Sequence, residues 1–91
     1  MPNLLIPIAL RPYADRQAEI EVDGANVRAA LEALTTTYPQ LGAQIFDETG
    51  ELRGFINVFV GSDNIKTADG LDTAVKPDDE VAIVPAIAGG M

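Results

Sequence analysis

The spacing of apolar residues changes twice along this chain, and that order limits the fold more than any other feature. Residues 18–22 alternate apolar and acidic side chains with period two, as a half-exposed strand does. From Val27 the apolar residues follow helical spacing instead, which places them in one stripe on one helix face. Residues 55–60 and 80–84 are again strand-like, with many β-branched side chains. The pattern predicts strands on both sides of a single main helix.

The first apolar run, residues 4–10, completes the order strand, strand, helix, strand, strand. We therefore expect a small α+β roll with four or five strands and one main helix packed on one sheet face. Asn26 is the expected N-cap, and Tyr38-Pro39 is the expected end of the helix. Residues 11–16 are predicted to form a turn, residues 41–46 a short second helical turn, and residues 61–79 turns and irregular structure. The domain is expected to span residues 1–85.

A helix on one side of a sheet leaves the other side open. In the strand at residues 55–60, Val58 and its alternate neighbours suit the helix-packed side. The open side then holds Phe55, Asn57 and Phe59. The same alternation places Val84 outward on the last strand. An apolar patch on an open face is typical of a protein interface. The alternatives are a covering loop or a tolerated surface phenylalanine.

The composition excludes most familiar active sites. The 91 residues include no cysteine, no histidine and a single serine, Ser62, so thiolate chemistry, histidine bases and thiolate or imidazole metal sites are absent. A net charge of −8 argues against nucleic acid and anionic membranes as partners. It suits a basic protein partner, or serves only to keep the chain soluble. With no signal-peptide pattern and no long apolar run, we expect a cytoplasmic protein.

Beyond the last strand, residues 86–91 consist of small or apolar residues and include Gly89-Gly90 before Met91. Glycine has no Cβ, so this segment can pass through a slot that other residues would block. We expect a slim, flexible tail suited to threading into the active site of another protein. The alternative is a frayed terminus without function.

Four motifs in order carry a resemblance: residues 55–60 (FINVFV), residues 70–73 (GLDT), the acidic turn at residues 77–81 (PDDEV) and residues 84–90 (VPAIAGG). Together with Leu10-Arg11 and Tyr38-Pro39 they cover nearly the whole chain. The chain resembles the ubiquitin-like sulfur-carrier proteins of the ThiS/MoaD family. The similarity is closest to the branch that serves cysteine biosynthesis or tRNA thiolation.

The resemblance implies a β-grasp fold and a carrier role rather than an enzymatic one. In the family, a ubiquitin-activating-type enzyme adenylates the final glycine with ATP, and a sulfur donor then converts the adenylate into a thiocarboxylate. The thiocarboxylate passes sulfur to a biosynthetic enzyme. By position, Gly90 would carry the sulfur, Gly89 and Ala88 would occupy the narrow passage, and Phe59, Asn57 and Val84 would form the partner-binding face. No catalytic residue, metal ion or cofactor of the chain itself is implied.

Met91 departs from the family pattern, because it places the Gly90 carbonyl in a peptide bond. One interpretation is maturation, in which a metal-dependent peptidase cleaves between Gly90 and Met91. The others are an artefactual extra residue or a copy that does not conjugate.

Two rival functions share the same sequence features. A ubiquitin-like modifier would join Gly90 to lysines through isopeptide bonds, and an interaction module would bind through its open face without carrying sulfur. Both carrier and modifier need the glycine tail and an activating enzyme, so the sequence leaves them open. It also leaves open the pathway that accepts the sulfur.

Overall fold

The fold is built on a mixed five-stranded sheet whose last strand lies in its middle. The computed structural model describes residues 1–85 of the 91. The strands are β1 (Asn3–Leu5), β2 (Glu19–Glu21), β3 (Ile56–Val60), β4 (Asp63–Asn64) and β5 (Glu80–Pro85). The helices are α1 (Val27–Thr37) and α2 (Pro39–Ile45), with short 3-10 helices at Ile8–Ala14, Ile65–Thr67 and Gly70–Asp72.

The strand order in the sheet is β2-β1-β5-β3-β4. β1 and β5 run parallel, and every other neighbouring pair is antiparallel. β3 pairs with β5 along its whole length, with Val58 opposite Ile83. The predicted pairing of these two strands is confirmed, and so is the α+β roll with its main helix.

α1 begins and ends where the sequence predicts. The Asn26 side-chain oxygen accepts a hydrogen bond from the Ala29 amide at 2.8 Å, which satisfies one of the free amides of the first turn. Tyr38 ends α1, and Pro39 starts α2, a position where the missing proline amide costs nothing. The apolar stripe of α1 is buried at Val27, Ala30, Leu31 and Leu34.

The core lies between the two helices and one sheet face. Val58 and Ile83 are 0% and 2% exposed, as the alternation in their strands predicts. Among residues 1–85, no polar or charged side chain is buried, so the core is wholly apolar. Each large apolar side chain buried in this way stabilises the fold by roughly 1.5–3 kcal/mol.

The expected strand over residues 4–10 is too long. β1 ends at Leu5, and the chain turns at Pro7 into the 3-10 helix Ile8–Ala14, which also replaces most of the turn expected at residues 11–16. Pro7 has no amide to donate to a sheet ladder, whereas its carbonyl accepts from the amides of Leu10 and Arg11 at 2.9 and 3.1 Å. Local hydrogen bonds therefore replace strand pairing beyond this point.

The segment expected to contain only turns and irregular structure is more regular. It contains β4, in which Asn64 pairs with Phe59, and two 3-10 helices. The Asn64 side chain accepts from the Lys66 amide at 2.9 Å and so starts the first of these helices. Elements of two or three residues are too short to leave a readable period in the sequence.

Gly24 brings the segment before α1 against the helix backbone. A Cβ built on Gly24 would lie 2.6 Å from the Ala30 nitrogen and 2.9 Å from its Cα. Both atoms belong to the backbone, so they cannot rotate away. The glycine is therefore needed for the close approach of this segment to α1.

Gly24→Ala is expected to lower the free energy of unfolding by about 1–3 kcal/mol, because the added methyl forces backbone apart. Gly54→Ala is the matched control, since a Cβ there meets no atom within 4 Å. Urea denaturation of both variants measures the difference. Equal stability of the two variants would show that the close approach at Gly24 does not contribute to the free energy of unfolding.

Candidate functional site

The end of the sheet where β5 finishes is the point from which the chain continues toward residues 86–91. Pro85, the last residue of β5, lies opposite Ile56, the first residue of β3. Because β1 is parallel to β5 and β3 is antiparallel to it, the end of β1 and the start of β3 lie at this same sheet end. The predicted tail residues Ala88, Gly89, Gly90 and Met91 lie outside the described residues.

The three residues predicted to form the partner-binding face lie together on the sheet face away from the helices. Asn57 is opposite Val84, and Phe59 is opposite Ala82. Their neighbours along the strands point into the core, so these side chains point the other way. Val84 is 42% exposed, while Asn57 and Phe59 are half-buried. On the other side of β5, Leu5 pairs with Ala82 and extends the apolar row across β1.

Two large apolar residues that were not predicted to bind a partner are more exposed than Val84. Phe55 is 49% exposed and Ile8 is 76% exposed. The alternation that places Asn57 and Phe59 outward extends to Phe55, so its signal was present in the sequence. Ile8 had no such signal, because a continuous strand would have placed it inward with Leu4.

Acidic side chains lie in two rows of this face, and the first holds Glu19, which is opposite Leu5. At the far end of the sheet, Glu21 and Glu80 flank Asn3 in one row, and the row holds no basic residue. Within residues 1–85 the structure has a single salt bridge, between Arg28 and Asp72 at 3.5 Å, and both side chains are largely exposed. An exposed pair of this kind adds little stability. The row formed by Glu21, Asn3 and Glu80 is therefore acidic.

Two arginines lie near the end of β5. Arg11 donates from Nε to the carbonyl of Ile6 at 3.0 Å, and Arg53 donates from Nε to the carbonyl of Ala43 at 3.1 Å. Ile6 directly follows β1, and Arg53 closely precedes β3. Each arginine thus holds a loop that leads into or out of a strand beside β5.

None of the ionisable side chains of residues 1–85 is buried. Among residues 1–85, no three histidine, cysteine, aspartate or glutamate side chains are grouped so that they could hold a metal ion. Asp47 is the one group there with a resolved pKa shift: hydrogen bonding from the Thr49 hydroxyl, and then from the Thr49 and Glu51 amides, lowers its pKa. Asp47 belongs to an exposed turn. No helix in this part of the chain combines the length and apolar character needed to cross a membrane.

Comparison with known proteins groups this chain and its fold with sulfur carriers. A sequence profile described as the ThiS family matches residues 4–90. The sulfur carrier protein CysO of Mycobacterium tuberculosis is 32% identical over 87 residues, covering 93% of this chain and 94% of CysO. Small archaeal modifier protein 1 of Haloferax volcanii is 37% identical over 76 residues, covering 82% of this chain and 83% of the modifier.

A solved structure is similar over nearly the whole chain. The crystal structure of the Amycolatopsis orientalis BexX/CysO complex contains a chain with a TM-score of 0.91 and 30% identity, covering 99% of this chain and 100% of that one. The architecture described above is thus the β-grasp fold, as the sequence resemblance implied.

The two sides of β3 should respond differently to a charge. Val58→Asp is expected to abolish stable folding, because an unpaired carboxylate in an apolar core costs several kcal/mol. Phe59→Asp should leave a folded protein, because the Phe59 side chain is on the open face. Circular dichroism with thermal denaturation compares the two variants. An unfolded Phe59→Asp protein would contradict the assignment of the open face.

Proposed function

The chain belongs to the ThiS family, and from that premise we propose that its Gly90 carboxylate is adenylated and converted into a thiocarboxylate that donates sulfur to a biosynthetic enzyme. The relatives named above are carriers and modifiers, and this chain is likewise a carrier-type protein and not an enzyme. ATP is then a substrate of the activating enzyme, not a cofactor of the carrier.

One observation supports the role of the tail more than any other. The family match runs from residue 4 to residue 90, so it includes Gly89 and Gly90 and stops before Met91. The matched range therefore extends past the described residues and includes the glycine pair. Conservation of a β-grasp scaffold alone would not require the match to continue past β5.

The proposed reaction requires few chemical groups from the carrier. A free carboxylate is a poor electrophile. When a Gly90 oxygen attacks the α-phosphorus of ATP, pyrophosphate leaves and an acyl adenylate forms. A sulfide-level nucleophile then forms the C–S bond while the C–O bond to AMP breaks. All other groups belong to the activating enzyme and the sulfur donor, and the carrier contributes an accessible carboxylate and a surface to bind.

The open face is the proposed binding surface for a ubiquitin-activating-type enzyme. Phe59, Asn57 and Val84 lie on one face near the sheet end from which the tail continues. A partner that holds this face therefore has the tail within reach of its active site. The relative in the Amycolatopsis orientalis structure is in complex with BexX, which supports the use of this scaffold in protein–protein contacts.

Met91 is proposed to be removed before activation. While the Gly90–Met91 peptide bond is intact, Gly90 has no carboxylate for ATP to activate. A metal-dependent peptidase that cleaves this bond would then control the entry of the carrier into sulfur transfer. Gly89 and Ala88, both small, are proposed to occupy the narrow passage of each enzyme that acts on the tail.

A second function is favoured by the similarity to small archaeal modifier protein 1. In this alternative, the activated Gly90 carbonyl is transferred to a lysine amine of another protein and forms an isopeptide bond. Activation is the same in both cases, and only the nucleophile differs. The acceptor distinguishes a carrier from a modifier.

The role of Met91 is tested by incubating the full chain and a chain ending at Gly90 with an activating enzyme, ATP and a sulfide source. We expect the Gly90-ended chain to exchange one oxygen for sulfur, as read by intact mass, because only it presents a Gly90 carboxylate. The full chain should stay unchanged until a peptidase is added. A thiocarboxylate formed on Met91 would contradict the need for maturation.

The binding role of Phe59 is tested with the same enzyme. Phe59→Asp in the Gly90-ended chain should weaken binding by about 2 kcal/mol or more, as loss of a central aromatic anchor does. Isothermal titration calorimetry gives the affinity. The exposed Glu32, on α1 and so on the helix side of the sheet, offers a control, Glu32→Gln, that should bind as the parent chain does. Equal affinity of the Phe59 variant would remove Phe59 from the interface.

A further inference from the structure

The outer side of β2 is an open edge of the sheet. β2 stands first in the strand order, so within residues 1–85 only β1 pairs with it. Ala18 and Val22, on either side of β2, are hydrogen-bonded to residues flanking β1 at 2.8 and 3.0 Å. In an antiparallel pair, such residues alternate with residues whose amide and carbonyl groups point away from the ladder. The backbone groups of Glu19 and Glu21 therefore point outward, and we name this row the β2 edge.

The β2 edge leaves one core-facing side chain half-covered. Ile20 lies opposite Leu4, which is fully buried, so Ile20 is on the helix-packed face. It is nevertheless only half-buried, because no strand among the described residues continues the sheet beyond it. An added strand would offer backbone partners to the β2 edge and would remove the exposed part of Ile20 from water.

α1 runs beside β2 and leaves room there. Before β2, Gln17 donates from Nε2 to the Tyr38 hydroxyl at 2.6 Å. After β2, Gly24 approaches the backbone of Ala30. By helical spacing, Ala33 lies on the same side of α1 as Ala30, and it is half-buried. The part of α1 between its two contacts with the β2 segment thus presents a small side chain, which does not block another backbone.

The side chains of the β2 edge are acidic on the open face of the sheet. Glu19 and Glu21 are exposed, and the Asn3 side chain donates a hydrogen bond to a Glu19 carboxylate oxygen. The next positions in their two rows across the sheet are Leu5, Ala82, Asn3 and Glu80. None of these residues is basic, so the two carboxylates have no cationic neighbour in their rows.

Charge selects the occupant of the β2 edge. Arg16 precedes β2, and the basic residue of α1, Arg28, forms its salt bridge with Asp72. Like charges directly opposite each other on paired strands are destabilising, so the β2 edge of a second copy of this chain is a poor partner. Lysine or arginine side chains opposite Glu19 and Glu21 would instead be attracted.

We propose that the β2 edge binds an extended segment of a partner protein in which lysine or arginine alternates with apolar residues. The segment adds a strand to the sheet and bonds to the outward backbone groups of Glu19 and Glu21. Its basic side chains face the two carboxylates, and its apolar side chains cover Ile20 on the other face. Main-chain bonds then supply affinity, and the alternation of side chains supplies specificity. This inference does not depend on the chemistry of the tail.

The test uses the full chain and two peptides of about seven residues, the length of an ordinary strand. In one peptide lysine alternates with valine, and in the other the same residues form a lysine block and a valine block. Fluorescence anisotropy measures both affinities. The alternating peptide should bind about tenfold more tightly or better, because only its charges and apolar side chains match the two faces of an added strand.

Hydrogen exchange followed by NMR locates the bound peptide. At saturation, the amides of Glu19 and Glu21 should exchange about tenfold more slowly or less, because they become hydrogen-bonded to the peptide. The Val22 amide is the internal reference, since it is already bonded within the domain. Its exchange should change little.

Two sets of variants separate backbone pairing from charge. Glu21→Pro removes an outward amide at an edge position where proline is tolerated, and should weaken binding about tenfold or more. Glu19→Gln combined with Glu21→Gln keeps both amides and should weaken binding about fivefold, through loss of two exposed ion pairs. Glu48→Gln combined with Glu51→Gln, between α2 and β3, is the matched control with the same change in net charge and should alter affinity less than about twofold.

Circular dichroism verifies that the variants are folded. If Glu21→Pro unfolds the domain, the exchange measurement and the glutamine pair decide. Equal affinity for the two peptides, or unchanged exchange at Glu19 and Glu21, overturns the proposal, since only general charge attraction would remain. Failure of both peptides to bind overturns it too, because the carboxylates would then protect the edge from pairing. Dimerisation of the full chain that Glu21→Pro abolishes assigns the edge to a second copy and also overturns it.

Discussion

The parallel pairing of β1 with β5 is the constraint on which the rest of the structure depends. Val81 lies opposite Leu4 in this pair, and both are fully buried. Parallel neighbours cannot be joined by a tight turn, so the remainder of the domain, with α1, forms the connection between them. Placing the last strand beside the first also leaves its other edge free for β3.

This position makes β5 a central strand, and its last residue, Pro85, is still paired with Ile56 of β3. The strand is paired on both sides at Val81 and Ala82, and its last three residues are paired with β3 alone. The described chain therefore ends at a residue that is held by strand pairing. For a carrier, a fixed starting point limits the volume that the reactive carboxylate explores and so raises its effective concentration in a docked enzyme.

The helix-packed face and the open face of the sheet differ in burial from one residue to the next. Val58 is buried under the helices, whereas Phe59, the next residue, is half-buried on the open face. The helix-packed face supplies the stability of the domain. The open face is then free to vary in apolar and charged character without loss of the core. Under the proposed function, a chain with no histidine and no cysteine would contribute this surface and an accessible carboxylate.

The elements that could be predicted from the sequence depend on short-range interactions along the chain. The alternation in β3 and β5, the stripe of α1, the Asn26 cap and the stop at Pro39 each depend on residues a few positions apart, so they were readable in advance. The Gly89-Gly90 pair was equally readable, as was the outward direction of Phe59. The resemblance added the fold and the carrier role to these elements.

The tertiary structure alone decided which distant residues meet. It placed Ile8 in solvent, because Pro7 leaves the ladder and the local 3-10 bonds turn the chain outward. It placed Gly24 against the Ala30 backbone, a contact that the spacing of apolar residues does not predict. It also brought β1 and β3 to opposite sides of β5, although these strands lie far apart in the chain. Pairing between distant strands depends on the packing of the whole core, and no short stretch of sequence contains that information.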